Sequence, residues 1–542
     1  MLVSEAVGRA VVALGADRVF GVVGSGNFHV SNAMVAAGAS YVAARHEAGA
    51  TTMADAYARV SGRLGVVTVH QGPGLTNAMT GITEAAKSRT PLVVLAADTG
   101  AAAIRSNFRV DQAGLATAVG AVTERVHSAP SALADVTRAV RKAVVERRTV
   151  VLNLPLDVQS QEFPGSLDGL TPMLPLPAPR PAGATIDALA DLVEQAERPV
   201  FLAGRGARGA GPSLAALAGR CGALLATSAV AKGLFADDPW ALDVSGGFAT
   251  PLAAELIAEA DLVVAWGCSL SMWTTRHGRL IGPHATVAQI DLDADAIGAN
   301  RPVDLAVLGD VGATAATLDV RAATGYRTAE LRTRIATAGR WRDVSFVDGG
   351  TDATVDPRTL SIALDDLLPA DRVVAVDSGN FMGYPSMYLS VPDEAGFCFT
   401  QAFQSVGLGL ATAIGAALAR PDRLPVAALG DGGALMSIAD LDTAVRLGLP
   451  LVIVVYDDLG YGAEVHHFGP DGFDLSTVRF PDTDIAAIAR GFGCTGITVR
   501  RREDLAALTD WLAGPRTAPI LIDAKVTADT GSWWLEEAFR GH

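Results

Sequence analysis

The sequence predicts an α/β protein of three domains, each a parallel sheet flanked by helices. Three observations carry this expectation. Residues 425–461, PVAALGDGGALMSIADLDTAVRLGLPLVIVVYDDLGY, read as a buried strand, a glycine turn, helix and a second buried strand. Residues 65–98, GVVTVHQGPGLTNAMTGITEAAKSRTPLVVLAAD, follow the same order and can be laid on 425–458. Their spacing of about 360 residues is far beyond a solenoid period, so two related domains flanking a third are expected. The chain of 542 residues has room for about three domains of ordinary size.

Taken in order, MLVSEAVGRAVVALGADRVFG reads as an amphipathic helix rather than a cleavable leader. The first domain is expected over 1–163 and ends soon after the strand TVVLNLPLDV. A connector at 164–182 carries Pro164, Pro172, Pro175, Pro177, Pro179 and Pro181, which suits an extended linker. A central Rossmann-like domain follows at 183–335, with RPVFLAGRGARG, ADLVVAWGCSLSM and TVAQIDLDADAIGANRPVDLAVLGD. Its GRGARG after a strand is a weak dinucleotide signal that leaves a nicotinamide or flavin oxidoreductase open as a third reading. A second linker at 336–350 leads to the third domain, 351–530. In the closing segment, 531–542, Trp533, Trp534 and Phe539 have the spacing of a short amphipathic helix.

Composition narrows the function. A net charge of −15 argues against a nucleic-acid partner, while a small anionic substrate remains compatible with a locally positive site. Half the residues are hydrophobic, yet no apolar run is long enough to span a bilayer, so no membrane partner and a cytoplasmic location are expected. The four cysteines, Cys221, Cys268, Cys398 and Cys494, are widely spaced and form no CxxC pair, which predicts reduced thiols and no zinc.

The chemistry concentrates at Gly430-Asp431-Gly432-Gly433 and Asp457-Asp458-Leu459-Gly460. Parallel neighbouring strands would bring Asp431 and Asp458 to one spot beside a helix N-terminus, whose free N–H groups favour a phosphate. Two hard oxygen ligands beside a phosphate describe a Mg²⁺ that takes its other ligands from phosphates and water. The plainer reading is a pair of helix-capping or turn aspartates.

This pattern resembles the thiamine diphosphate fingerprint of the acetohydroxyacid synthase and 2-oxoacid decarboxylase superfamily. That fingerprint usually closes with Asn-Asn; Asp457-Asp458 stands here and adds negative charge beside the diphosphate. By resemblance the metal ligands are Asp431, Asp458 and the Gly460 carbonyl. The resemblance extends to Arg45-His46-Glu47 and the following AGATTMADAYARVSGR. It makes Glu47 the carboxyl that protonates the aminopyrimidine ring, and a carboxyl held away from water beside an aromatic ring shares a proton readily. Without it, Glu47 would read as a solvated helix-start residue.

The resemblance also names the domains: pyrimidine-binding, central and diphosphate-binding. It places Asn77, Asn380, Phe381, Gly430, Gly432, Gly433 and Tyr461 at the cofactor. In Gln404-Ser405-Val406-Gly407, the Gln404 carbonyl would accept from the aminopyrimidine and Val406 would be the wedge between the rings, or a core residue at a helix start. Acetohydroxyacid synthases bind FAD in the central domain near an acidic pair; Cys268-Ser269-Leu270-Ser271-Met272 at that place argues against FAD. The superfamily builds its sites between subunits, which implies a homodimer or homotetramer, and often covers them with the C-terminal segment, so 531–542 is a helix or lid.

Substrate signals mix. His70 and Ser25 match the catalytic histidine and serine of benzoylformate decarboxylase, although a histidine there could simply bond backbone. Glu464 falls where pyruvate decarboxylase has a catalytic glutamate. Asp111-Gln112 resembles benzaldehyde lyase and the oxalyl-CoA decarboxylases, where the glutamine approaches the intermediate. The family reaction removes CO₂ from a 2-oxo acid to leave an enamine, which is protonated to an aldehyde or attacks a second carbonyl. HEAGA, GPGLTNA and IGANRPVD tilt toward an acetolactate synthase-like carboligase using a 2-oxo acid or aldehyde. The alternatives are a non-oxidative decarboxylase, a benzaldehyde lyase or acyl-CoA lyase, and a catalytically silent homologue.

Overall fold

The computed structural model describes residues 1–173, 176–528 and 531–538. It contains three six-stranded sheets, and every strand pair within them is parallel. Strands such as Gly65–Val69, Leu262–Trp266 and Arg372–Val376 are buried along their whole length. Such uninterrupted apolar runs are what a sheet covered by helices on both faces requires.

The first sheet runs Ser40–Ala43, Arg18–Gly21, Gly65–Val69, Leu92–Asp98, Thr149–Pro155, Val122–Arg125 across its width. The third runs Phe397–Phe399, Arg372–Val376, Leu424–Gly430, Val452–Asp457, Ile520–Lys525, Thr495–Val499. Counting strands within each domain, the two orders are identical, so the internal repeat is a repeat of topology. It is imperfect at the helix after Asp431, which is broken into Asp431–Met436 and Asp440–Arg446 where the Ser437 hydroxyl donates back to the Gly433 carbonyl at 2.9 Å.

First and third domains share one apolar core. The helix Glu47–Ser61 packs on Gly409–Ala419, an almost wholly buried Ala/Gly-rich helix. The approach is close enough that a Cβ at Gly415 would lie 2.1 Å from the Met53 carbonyl oxygen, so only glycine fits there. The central sheet, with Pro199–Ala203 and Leu262–Trp266 side by side at the point where strand order reverses, docks on this pair. Arg205 donates to the Ser88 carbonyl at 2.5 Å and Arg208 to that of Glu394 at 2.9 Å.

Helix Ala329–Ala338 crosses the boundary expected at 335, because Leu331 and Ile335 pack into the central domain. In the first linker, Pro175 lies outside the described residues, as do Asp529 and Thr530 of the third domain and residues 539–542, including Phe539. The described part of the C-terminal segment does form a helix, Trp533–Ala538, and it docks on its own chain. Trp534 is buried, 4.8 Å edge-on to Tyr384, and Arg276 lies 4.6 Å over the Trp533 ring. All four cysteines are free and buried. Among the described residues no helix is long and apolar enough to cross a membrane.

Candidate active site

The two aspartates singled out by the sequence come together at the C-terminal ends of adjacent strands. Pairing of Leu424–Gly430 with Val452–Asp457 places Gly430 opposite Tyr456, so Asp431 and Asp458 follow side by side. Burial, then the charges of Asp458 and Asp457, push Asp431 up to about 8. Burial likewise raises Asp458 to about 6, against the pull of a hydrogen bond donated by the Asn380 amide at 3.3 Å. Asp457 beside them is already paired: its carboxylate accepts from the buried Lys525 ammonium at 2.5 Å, which also bonds Asp482 at 2.6 Å. Lys525 thus compensates Asp457, and among the described residues no lysine or arginine forms an ion pair with Asp431 or Asp458.

A cleft of about 300 Å³ opens here, lined by Asp431, Gly432, Leu435, Met436, Asp457 and Tyr461 among others. Gly432 is required, since a Cβ there would sit 2.6 Å from the Tyr461 ring. Asn380 is held from behind: its Oδ1 accepts from the Ser532 hydroxyl at 2.6 Å and its carbonyl accepts the Trp534 indole N–H at 3.2 Å. Phe381 differs from expectation. It is buried and stacked 5.4 Å from Tyr456, so its ring is part of the third-domain core and supports the site from within.

Beside this cleft runs the turn carrying Gln404 and Val406. Val406 is 39% exposed, which excludes the reading as a core residue. Gln404 adopts φ of +62°, a strained conformation for a residue with a Cβ. Asp377 secures the far end of the turn by accepting the N–H groups of Gly407 and Leu408 at 3.0–3.1 Å. Gly433 lies against both, a Cβ there falling 2.3 Å from Asp377 Oδ2 and 3.3 Å from Val406.

The second group of residues belongs to the first domain. Glu47 begins its helix as a buried residue, only 9% exposed, and Oε2 accepts from the Asn77 amide at 3.0 Å. His70 follows the strand Gly65–Val69 directly. Its Nδ1 lies 2.8 Å from the Gln71 carbonyl, which places the proton on Nδ1 and leaves Nε2, 3.4 Å from the Ser25 hydroxyl, as the acceptor. The Phe108 ring packs edge-on at 5.0 Å. The loop bearing Ser25 is shaped by Asn27, fully buried, whose Oδ1 accepts the Gly24 N–H at 2.8 Å.

Two further residues stand apart. Gln112 does not face a cleft: its Oε1 accepts the Gly72 N–H at 2.9 Å, and its amide donates to the Ala97 carbonyl and to Asn153. Every polar atom of this buried side chain is thereby engaged in bracing the His70–Gly74 turn, which corrects its expected approach to an intermediate. Glu464 lies half-buried in Gly462–Phe468, the helix that starts against Asp458. Among the described residues no hydrogen bond or ion pair joins the Glu47–His70 group to the Asp431–Asp458 group.

Comparison with known proteins agrees with this division. Models of the N-terminal, central and C-terminal domains of thiamine pyrophosphate enzymes match residues 1–119, 186–318 and 377–524. The chain is 30% identical to an acetolactate synthase large subunit of Parasynechococcus marenigrum, over 94% of this chain and 85% of that protein. It belongs to the thiamine pyrophosphate enzyme family. Other relatives include a sulfoacetaldehyde acetyltransferase of Castellaniella defragrans, 31% identical over 93% of this chain and 89% of the relative. A probable 2-ketoarginine decarboxylase of Pseudomonas aeruginosa is 30% identical over 92% and 89%.

The residues of this thiamine pyrophosphate enzyme fit the cofactor. Asp431 and Asp458, both raised by burial and Asp431 also by the charge of Asp458, are a donor set that would suit a divalent ion beside a diphosphate. Among the described residues no cluster of three or more His, Cys, Asp or Glu side chains is placed to hold a metal. Asn27 and Phe108 were not singled out by the sequence; only the fold shows that one shapes the Ser25 loop and the other packs on His70.

Proposed function

We propose that the chain is a thiamine diphosphate- and Mg²⁺-dependent enzyme that breaks and makes carbon–carbon bonds of 2-oxo acids, in the manner of acetolactate synthase-like carboligases. The observation that supports this reading is the buried Glu47 carboxylate bonded by the Asn77 amide, together with the Asp431–Asp458 pair at adjoining strand ends. When bound, thiamine diphosphate supplies a nucleophilic carbon and an electron sink. Asp431, Asp458 and the Gly460 carbonyl would hold the ion, and Asn380 orients Asp458. Glu47 would hold and return a proton at the pyrimidine, with Asn77 fixing its carboxylate.

The two half-sites require a second copy of the chain in this reading. Apolar side chains exposed around each, including Phe28, Phe108 and Val110 on the first domain and Val406, Leu435 and Met436 on the third, suit burial between subunits. The His70–Ser25 pair favours a second reading, a non-oxidative decarboxylase. An imidazole whose Nε2 lies 3.4 Å from a hydroxyl can relay a proton to carbon, which releases an aldehyde instead of joining a second carbonyl.

Incubation with thiamine diphosphate, Mg²⁺ and a panel of 2-oxo acids, followed by NMR for CO₂ and products, separates the readings. Acetolactate or another branched hydroxyketone supports the carboligase. Free aldehyde alone supports the decarboxylase, and no consumption of any 2-oxo acid contradicts both.

A further inference from the structure

The turn that carries Gln404 and Val406 is held at both ends by buried carboxylates, and only one of them belongs to its own domain. Asp377 holds Gly407 and Leu408. At the other end Glu84, in the first-domain helix Pro73–Lys87, accepts the Phe403 N–H at 2.7 Å and the Ala402 N–H at 3.3 Å. Glu84 is fully buried. Burial works against its charge, yet Arg59 and the two backbone donors outweigh this and hold its pKa below the ordinary carboxylate range. The Arg59 guanidinium lies 2.7 Å from both Glu84 and Asp55, and donates to the Phe399 carbonyl at 3.1 Å. Ser88 completes the cluster, its hydroxyl donating to Glu84 at 3.1 Å.

Between these clamps sits Gln404 at φ +62°. A strained residue keeps its conformation only when the structure around it over-determines the backbone, and here two carboxylates fix the N–H groups on either side. Resting on the thiamine diphosphate reading above, we infer that Glu84, held by Arg59, is a positioning residue for the cofactor cradle: the first domain of each chain sets the Gln404–Val406 turn of its own third domain. The same helix holds Glu47 through Asn77 at its other end. One helix therefore fixes a group of each half-site, and with sites formed between subunits these two groups serve different cofactors.

The test uses the full chain with Glu84→Gln, which keeps the shape but removes the charge and one acceptor oxygen. Hydrogen exchange without cofactor is expected to rise about tenfold at 402–408, with helix Gly409–Ala419 unchanged. Calorimetry with thiamine diphosphate and Mg²⁺ is expected to show about tenfold weaker binding, and the circular dichroism of the bound cofactor should diminish. Val406→Ala combined with Glu84→Gln should lose less than the two single effects added, since both act on the same turn. Should Glu84→Gln fail to fold, Arg59→Lys takes its place with the same expected direction, because lysine lacks the fork that reaches Glu84, Asp55 and Phe399 together. Unchanged exchange at 402–408, or a rise spread evenly over the third domain, overturns the inference. Binding of equal affinity by variant and unmodified chain overturns it as well, whereas no binding by the unmodified chain sinks the thiamine diphosphate reading and the cradle role with it.

Discussion

Metal affinity should depend steeply on pH, because the proposed ligands bind protons when the ion is absent. Asp431 is raised to about 8 and Asp458 to about 6. Both must be ionised to coordinate Mg²⁺. At pH 7 only about one tenth of Asp431 is ionised, which costs about 1.4 kcal/mol, or tenfold in affinity. At pH 6 the factor from Asp431 alone is about one hundred. Apparent Mg²⁺ affinity should therefore climb about tenfold per pH unit from 6 to 8 and flatten above 8. Asp458→Asn removes a charge that raises Asp431, so its plateau should begin at lower pH, though burial, the larger cause, remains. The assay is a Mg²⁺ titration at excess thiamine diphosphate, read by tryptophan fluorescence; titration of the diphosphate itself is common to both proteins and cancels in the comparison. An affinity that is flat from pH 6 to 8, and alike in both proteins, would refute the assignment of this pair to the metal.

The remaining expectations concern the other half-site and the domain contact. Glu47→Gln should abolish turnover while calorimetry still detects cofactor binding, because Asn77 can pair with the new amide; unchanged turnover would remove Glu47 from the proposed chemistry. His70→Ala should slow decarboxylation or product release by about 10²-fold or more with melting temperature preserved, and a fully active variant would leave the Ser25–His70 contact without a catalytic role. Asp440, buried against Gly49, is raised by burial from 3.8 to about 7. Its folded form holds a proton that the unfolded chain loses, so stability is intact below pH 3.8, declines as pH rises to 7 and is constant above. Asp440→Asn should then gain up to about 4 kcal/mol over the parent between those limits, read from denaturant midpoints at pH 4 and 8; an equal gain at both would contradict the assignment.

Much of the architecture was legible because it rests on local pattern. Continuous apolar runs ending in glycine turns announced the βαβ units, and the match of 65–98 to 425–458 anticipated two sheets of one topology. Asp431 and Asp458 were legible together since parallel pairing of neighbouring strands forces their ends to coincide. Side-chain direction was not legible. Gln112 carries the residue type of a substrate contact but points into the domain, satisfying the Gly72 N–H, and Phe381 turns onto Tyr456. Nor could the sequence reveal Glu84: in GITEAAK it looks like any solvent-facing helix residue, and its partners Ala402 and Phe403 lie in another domain. Such pairs are set by how domains dock, on which periodicity is silent.

The account depends most on the active site being assembled from Glu47 of one chain and the Asp431–Asp458 pair of another. Co-expression of Glu47→Gln with Asp431→Asn chains, each inactive alone, tests this directly. Random pairing should place both intact groups in one of the two sites of each mixed dimer and restore about a quarter of the parent activity with a 2-oxo acid. Mixed dimers with no activity, from chains shown to have exchanged, would contradict it.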